Sequence, residues 1–214
     1  MMFEALIDRL VAHYTGPQFR DEVVQAKRDF FEDAGLIGDD TNQFEVRMAQ
    51  FLDWYIFSRD LSETHLPPVH LAFETAPFDM TDLERAQLRA LTEHKHSLFE
   101  HVRTLRQDVS IRDLFNGQKY TIENTNVTHG FNADEVFETR IFPWEGTWGF
   151  ARGFCFHPVE ASAFIREECK KIRHLEAHDK EVLMLRLMKM RYKHDQYQHI
   201  RLDYIYTNEP KLRF

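Results

Sequence analysis

Thr147-Trp148-Gly149-Phe150-Ala151-Arg152-Gly153-Phe154-Cys155-Phe156 reads with a period of two. Trp148, Phe150, Phe154 and Phe156 fall on one face, broken only by Arg152, while Gly149, Ala151, Gly153 and Cys155 fall on the other. Side chains alternate across a strand, so the spacing predicts a β element with an aromatic face and a bare one. An aromatic face wants a core or a stacked ligand, and a bare face lets another backbone come close.

Upstream of this stretch, four more strands are predicted. Leu98–Leu105 is the first, and Val109, Ile111 and Phe115 mark the second. Asn116-Gly117 is the strongest turn signal and predicts a two-residue type I′ hairpin, which needs positive φ twice. Lys119–Glu123 forms the third strand, Asn124–Gly130 a polar loop, and Val136–Phe142 the fourth strand before a turn at Pro143–Gly146. Five short sequential strands imply a curved sheet or small barrel of SH3-like or OB-like type.

Helical spacing dominates on both sides. Phe3, Leu6, Ile7, Leu10, Val11 and Tyr14 share one helix, which Gly16-Pro17 stops. Pro17 opens a second helix through Phe31, with Gly35 at its end. A third carries Phe44, Phe51, Leu52, Tyr55 and Ile56, with Asp40 or Thr41 as its N-cap. Pro67-Pro68 precedes a short helix, and Thr81 with Glu84 signals a capping box opening another that runs to about Glu93. After Pro158, one helix runs from Ala161 to about His174, and Asp179 caps a long final one. The reading is an α+β protein: a helical N-terminal region over 1–96, a five-stranded module over 97–157 and a C-terminal helical pair over 158–214, in one compact unit.

The 214 residues carry a formal net charge of −8, with 43% hydrophobic and 29% charged residues, as expected of a soluble globular chain. Residues 1–100 hold 9 Lys and Arg against 19 Asp and Glu, whereas residues 166–214 hold 12 against 8. The acidic part should repel nucleic acid and the basic part tolerate it, unless the two ends pack together and neutralise each other. Two cysteines form no disulfide framework, and neither a signal peptide nor a membrane span is read, so a cytoplasmic location is expected.

Asp113-Leu114-x-x-Gly117-x-x-Tyr120-x-Ile122, followed by Arg140-Ile141-x-Pro143-x-x-Gly146-x-Trp148, resembles a loosely defined group of uncharacterised bacterial proteins. Phe51-x-x-Trp54 is a further echo of it upstream. Some relatives of that kind carry a Cys/His-rich zinc tail of the SEC-C type, which this chain lacks. The resemblance covers about residues 98–157; it implies a bacterial β-module between helices and no known activity.

Motifs for chemistry are sparse. There is no Gly-x-Ser-x-Gly, Walker or dinucleotide glycine pattern, and no cofactor is expected. His174-x-x-x-His178 has the spacing that puts two imidazoles on one helical face, but Glu176 stands at the wrong offset for a zinc-bound base. Glu93-x-x-His96 is one copy of a motif that a di-iron bundle uses twice. Asp113 and Arg140 interrupt apolar stretches and are expected to pair inside the sheet. Small barrels bind nucleic acid by stacking bases on strand aromatics beside cations. The candidate binding surface is therefore Arg140, Trp148, Phe150 and Arg152, extended by Lys170, Lys171 and Arg173; the alternative places the aromatics in the core. A non-catalytic protein-interaction module is the leading reading, nucleic-acid binding the second and a metal-dependent enzyme around His174 and His178 the third. A protein partner is expected, nucleic acid is the alternative, and no membrane is involved.

Overall fold

A computed structural model describes residues 3–36, 43–127, 131–132 and 134–209. Five helices lead: α1 (Glu4–Tyr14), α2 (Arg20–Ala34), α3 (Phe44–Phe57), α4 (Pro68–Thr75) and α5 (Asp82–Thr92). Strands β1 (Lys95–Leu105), β2 (Asp108–Asp113), β3 (Lys119–Ile122), β4 (Val136–Trp144), β5 (Thr147–Phe150) and β6 (Cys155–Phe156) follow. The chain then closes with α6 (Ser162–Ile172), α7 (Ala177–Gln196) and α8 (Leu202–Ile205). The protein is α+β, as its patterning predicts.

Local chemistry explains most helix ends. Pro17 opens a single 3-10 turn ahead of α2, and Gly35 ends α2 at φ +92°, a conformation that costs glycine little. At α5 the Thr81 hydroxyl accepts from the Glu84 amide at 3.2 Å, while the Thr81 amide donates to Glu84 at 2.8 Å. That reciprocal cap contributes about 1 kcal/mol. The N-cap expected of α3 at Asp40 or Thr41 lies outside the described residues. Asp179 does not cap α7; it stands inside the first turn, and Glu176 precedes the helix.

The sheet runs β3-β2-β1-β4-β5 with antiparallel neighbours, and β6 pairs with β4 beyond β5. It curls until its two ends approach. The Thr147 hydroxyl donates to the Thr121 carbonyl at 3.2 Å, and the Tyr120 and Trp148 rings meet edge to face at 4.9 Å. Phe99, Val109, Ile111, Tyr120, Ile122, Phe137, Ile141 and Phe150 fill the concave side of this half-barrel. Phe131 packs at the same cluster, against Phe137, Phe150 and Phe156.

The aromatic stretch is not one strand. Ile141 pairs with Phe150 and Glu138 with Cys155, so Ala151–Phe154 spans only Thr139 and Arg140 on β4. Two extra residues are looped out. An even insertion keeps the alternation, so Trp148, Phe150, Phe154 and Phe156 all pack with the concave cluster. Ala151 and Cys155 turn instead to the helices. Gly153 is where α3 comes closest: a Cβ there would stand 3.0 Å from the Asp53 Cβ.

The turn reading is also corrected. Asp113 and Gln118 close a four-residue loop, Leu114–Gly117, with only Gly117 at positive φ. Phe115 and Leu114 are drawn into the cluster under α6 and α7, and the Asp113 carboxylate accepts from the Phe115 amide at 2.8 Å. Positive φ occurs twice in succession at Glu145 (47°) and Gly146 (83°), between β4 and β5.

Helices cover the convex side from both ends of the chain. The N-terminal helices pack on Phe142, Ala151 and Cys155, while α6 and α8 pack on Leu98, Phe115 and Val136. Helix α7 serves both clusters, with Leu185 and Met188 in the first and Leu183, Met184, Leu187 and Met190 in the second. Among the described residues no helix is long and apolar enough to cross a membrane.

Because the Gly153 backbone passes so close to Asp53, Gly153→Ala should destabilise the fold by about 1–3 kcal/mol. The same change at Gly146, where the added Cβ meets nothing within 4 Å, costs only its backbone strain, about 1 kcal/mol. Urea unfolding of the two variants checks the order.

Candidate functional site

The residues expected to form one surface are separated by the fold. Arg140 is 1% exposed and points into the protein, so it belongs to no surface. Its partner is not Asp113, which is spent on the loop above; Arg140 Nε donates to Asp53 Oδ2 at 2.6 Å, and Nη2 to Ser58 Oγ at 2.5 Å. Phe150 is buried at 6% exposure in the concave cluster, and Trp148 is half-buried. Arg152 lies at the surface and donates to Asp8 at 2.6 Å and 3.3 Å, with Glu4 at 3.9 Å. Lys170, Lys171 and Arg173 are exposed on α6 and its end, on the helix that packs with the C-terminal cluster. Lys170 and Lys171 pair with Glu167 and Glu168 at 2.7 Å and 2.5 Å. His174 stands in the turn between α6 and α7 and His178 in the first turn of α7, so one helical face does not present both.

Two features remain, one on each side of β5. The first is a charged layer between the sheet and α3. On the convex faces of β1 and β4, His96 pairs in register with Arg140, and Leu98 with Glu138. His96 Nε2 lies 2.9 Å from Glu138 Oε1. Arg47, Gln50 and Asp53 stand at i, i+3 and i+6 on α3, a spacing that aligns them on one stripe. Gln50 accepts from Arg47 at 3.0 Å and donates to the Phe154 carbonyl at 2.7 Å, while Arg47 also donates to the Ala34 and Gly35 carbonyls that end α2. Gln50, Asp53, His96, Glu138 and Arg140 border a void of about 10 Å³, roughly room for one water. Glu138 Oε2 has no hydrogen-bond partner in the protein.

Burial sets the protonation of this layer. It pushes Glu138 up to about 7, against the pull of Arg140 and Arg47. It pushes His96 down to about 3, with Arg140 adding repulsion, and it raises Asp53 while Arg140 works the other way. His94 falls to about 2 and His157, beside the Tyr206 hydroxyl at 3.0 Å, to about 3 for the same reason. Glu138 is thus poised near neutral pH. Sequence reading missed the layer, although two signals carried it: the polar stripe in an apolar helix, and charged residues in the apolar run of β4.

The second feature is a groove of about 390 Å³ along the outer edge of β5. Phe3, Glu4 and Ile7 wall one side, Ile122–Asn126 the other, and the hairpin from Trp144 to Arg152 forms the floor. β5 ends the sheet, and the Ala151 amide donates to the Arg140 carbonyl at 2.9 Å. In an antiparallel ladder alternate residues bond alternate sides, so the N–H and C=O of Trp148 and Phe150 face the groove. Gly149 and Ala151 add little bulk on the α1 side, where Phe3 approaches the position of a Gly149 Cβ at 3.7 Å. Trp148, Phe150 and Arg152 of the expected surface therefore do meet, along this edge. Among the described residues no cluster of three or more His, Cys, Asp or Glu has the arrangement to hold a metal ion.

Two outcomes test the layer. Asp53→Ala strands the Arg140 guanidinium and should cost about 3–5 kcal/mol, whereas Asp53→Leu with Arg140→Met should recover most of that loss in urea unfolding. The pH dependence follows from proton counts. The lowered His94, His96 and His157 favour folding above 6.5, and that contribution is lost as pH falls; the raised Glu138 favours folding below 4.5 and loses its contribution as pH rises to 7. Three histidines outweigh the two raised carboxyls, Glu138 and Asp53, so stability should fall from pH 6.5 to pH 5. His157→Gln should flatten that fall, and Glu138→Gln should steepen it while raising stability at pH 8.

The described sheet and charged layer lie within residues 21–199, which match the family model DUF7986, a family of unknown function. Phe3, Glu4 and Ile7, which wall the groove, precede that range. No curated protein and no solved structure matches the chain. With most of its length matched from α2 through α7, the chain belongs to the DUF7986 family.

Proposed function

We propose that the protein is a non-catalytic protein-interaction module of the bacterial cytoplasm, whose β5 edge takes an extended segment of a partner protein as an added strand. The observation that carries this reading is the edge itself, with strand backbone on its floor and a wall on each side. Main-chain bonds to such an edge supply affinity, and alternate side-chain pockets supply selectivity. Trp148 adds an aromatic anchor of the kind that dominates interface energetics.

Nucleic-acid binding is the reading it displaces. The aromatics meant to stack bases are largely spent on the concave core, Arg152 is bonded to Asp8, and Lys170 and Lys171 are paired along α6. The paired cations of that surface are poorly placed to neutralise phosphates.

Affinity capture from bacterial lysate, with and without nuclease, tests the proposal against a folded Trp148→Ser variant. A protein bound by the wild type, resistant to nuclease and weakened at least about 30-fold by Trp148→Ser, is the expected outcome. Nucleic acid whose recovery depends on Arg152 would overturn it.

A further inference from the structure

We infer that the segment received by the β5 edge is basic, an extended peptide in which Lys or Arg alternates with apolar residues. The inference rests on the docking reading above and adds the chemistry of the occupant. A strand laid beside β5 sends alternate side chains to opposite faces. One set would run over Gly149 and Ala151 toward Phe3 and Ile7, where the floor is bare and the wall apolar. The other would run past Trp148 toward Ile122.

Charge decides the rest. Glu4, Glu123, Glu145 and Arg152 line the groove, and Arg152 is held by Asp8 beside it. Glu123 at the exit of β3 and Glu145 at the tip of the β4–β5 turn are both exposed, and both line the groove. Among the described residues neither has a cation paired with it. The α1 wall beside them belongs to residues 1–100, in which acids outnumber Lys and Arg by 19 to 9. A basic segment satisfies both carboxylates and is steered by that field. A second copy docking edge to edge would bring like charges together, and a phosphate backbone would be repelled. A polar neutral segment would leave the two carboxylates uncompensated.

Random decapeptides displayed on phage, panned against the full chain, against Glu123→Lys/Glu145→Lys and against Trp148→Ser, test the idea. Circular dichroism establishes that the exposed-site variants keep the fold. The expected result is enrichment of alternating Lys- or Arg-bearing peptides on the wild type. Their affinity should fall about tenfold or more in the charge-reversed variant and weaken as salt rises. Enriched peptides that need Trp148 but show no charge bias, or that are acidic, would overturn the inference and leave the docking reading standing. No enrichment over Trp148→Ser would overturn both. A wild-type dimer in sedimentation that Trp148→Ser abolishes would make a second copy the occupant and also overturn the inference.

Discussion

The Arg140–Asp53 pair is the contact on which the arrangement of helices and sheet depends. A guanidinium removed from water is costly unless its donors find acceptors in good geometry. Here the acceptors come from α3 and from Ser58, the residue that caps it, so α3 has to lie over the middle of β4 and nowhere else. Its approach in turn requires a place with no side chain, and Gly153 supplies it. The looped-out residues after β5, the register of β6 and the burial of Cys155 all follow from that clearance. Helix α7 closes the layer from the other side with Leu185 and Met188. Such a layer contributes specificity of docking more than net stability, since a hydrophobic interface of the same shape would hold as well but would fix the register less firmly.

Much of this was legible in the chain. Pro17, Gly35, Pro67-Pro68 and the Thr81 cap place helix ends, because each acts through its own backbone geometry or through a neighbour three residues away. The period-two reading of Trp148, Phe150, Phe154 and Phe156 correctly groups them on one face, because alternation survives an even insertion. What failed depends on distant partners. Asn116-Gly117 has the composition of a tight turn, yet Leu114 and Phe115 gain more by reaching the cluster beneath α6 and α7. Arg140 looked like a surface cation or a partner for Asp113, because nothing local distinguishes a cation facing solvent from one facing an aspartate 87 residues earlier.

The candidate site divides along the same line. Trp148 and Arg152 could be singled out from residue type, and they do line the groove. The walls come from Phe3 and Ile7 at one end of the chain and from Ile122–Asn126 after β3, a grouping that only the curl of the sheet creates. The cations of α6 were attractive as a run of charge. Their meaning changes once Glu167 and Glu168 are seen one turn away. Solvent screens the exposed Lys170–Glu167 pair to little net effect, and Lys171 is one of three donors, with Arg186 and Asn208, that hold the buried Glu168 carboxylate.

The loop between β5 and β6 also bears on how the family's sequences can change length. Strand faces obey a parity rule, and the two surplus residues between Phe150 and Cys155 form an even step. Loss of a single residue there would reverse the parity of everything downstream in β6, sending Phe156 toward the helices and Cys155 into the concave core. Loss of two would preserve it, at the expense of the clearance over Asp53. Length variation at this point is therefore quantised in pairs, a constraint imposed by the two-sided sheet rather than by any one side chain.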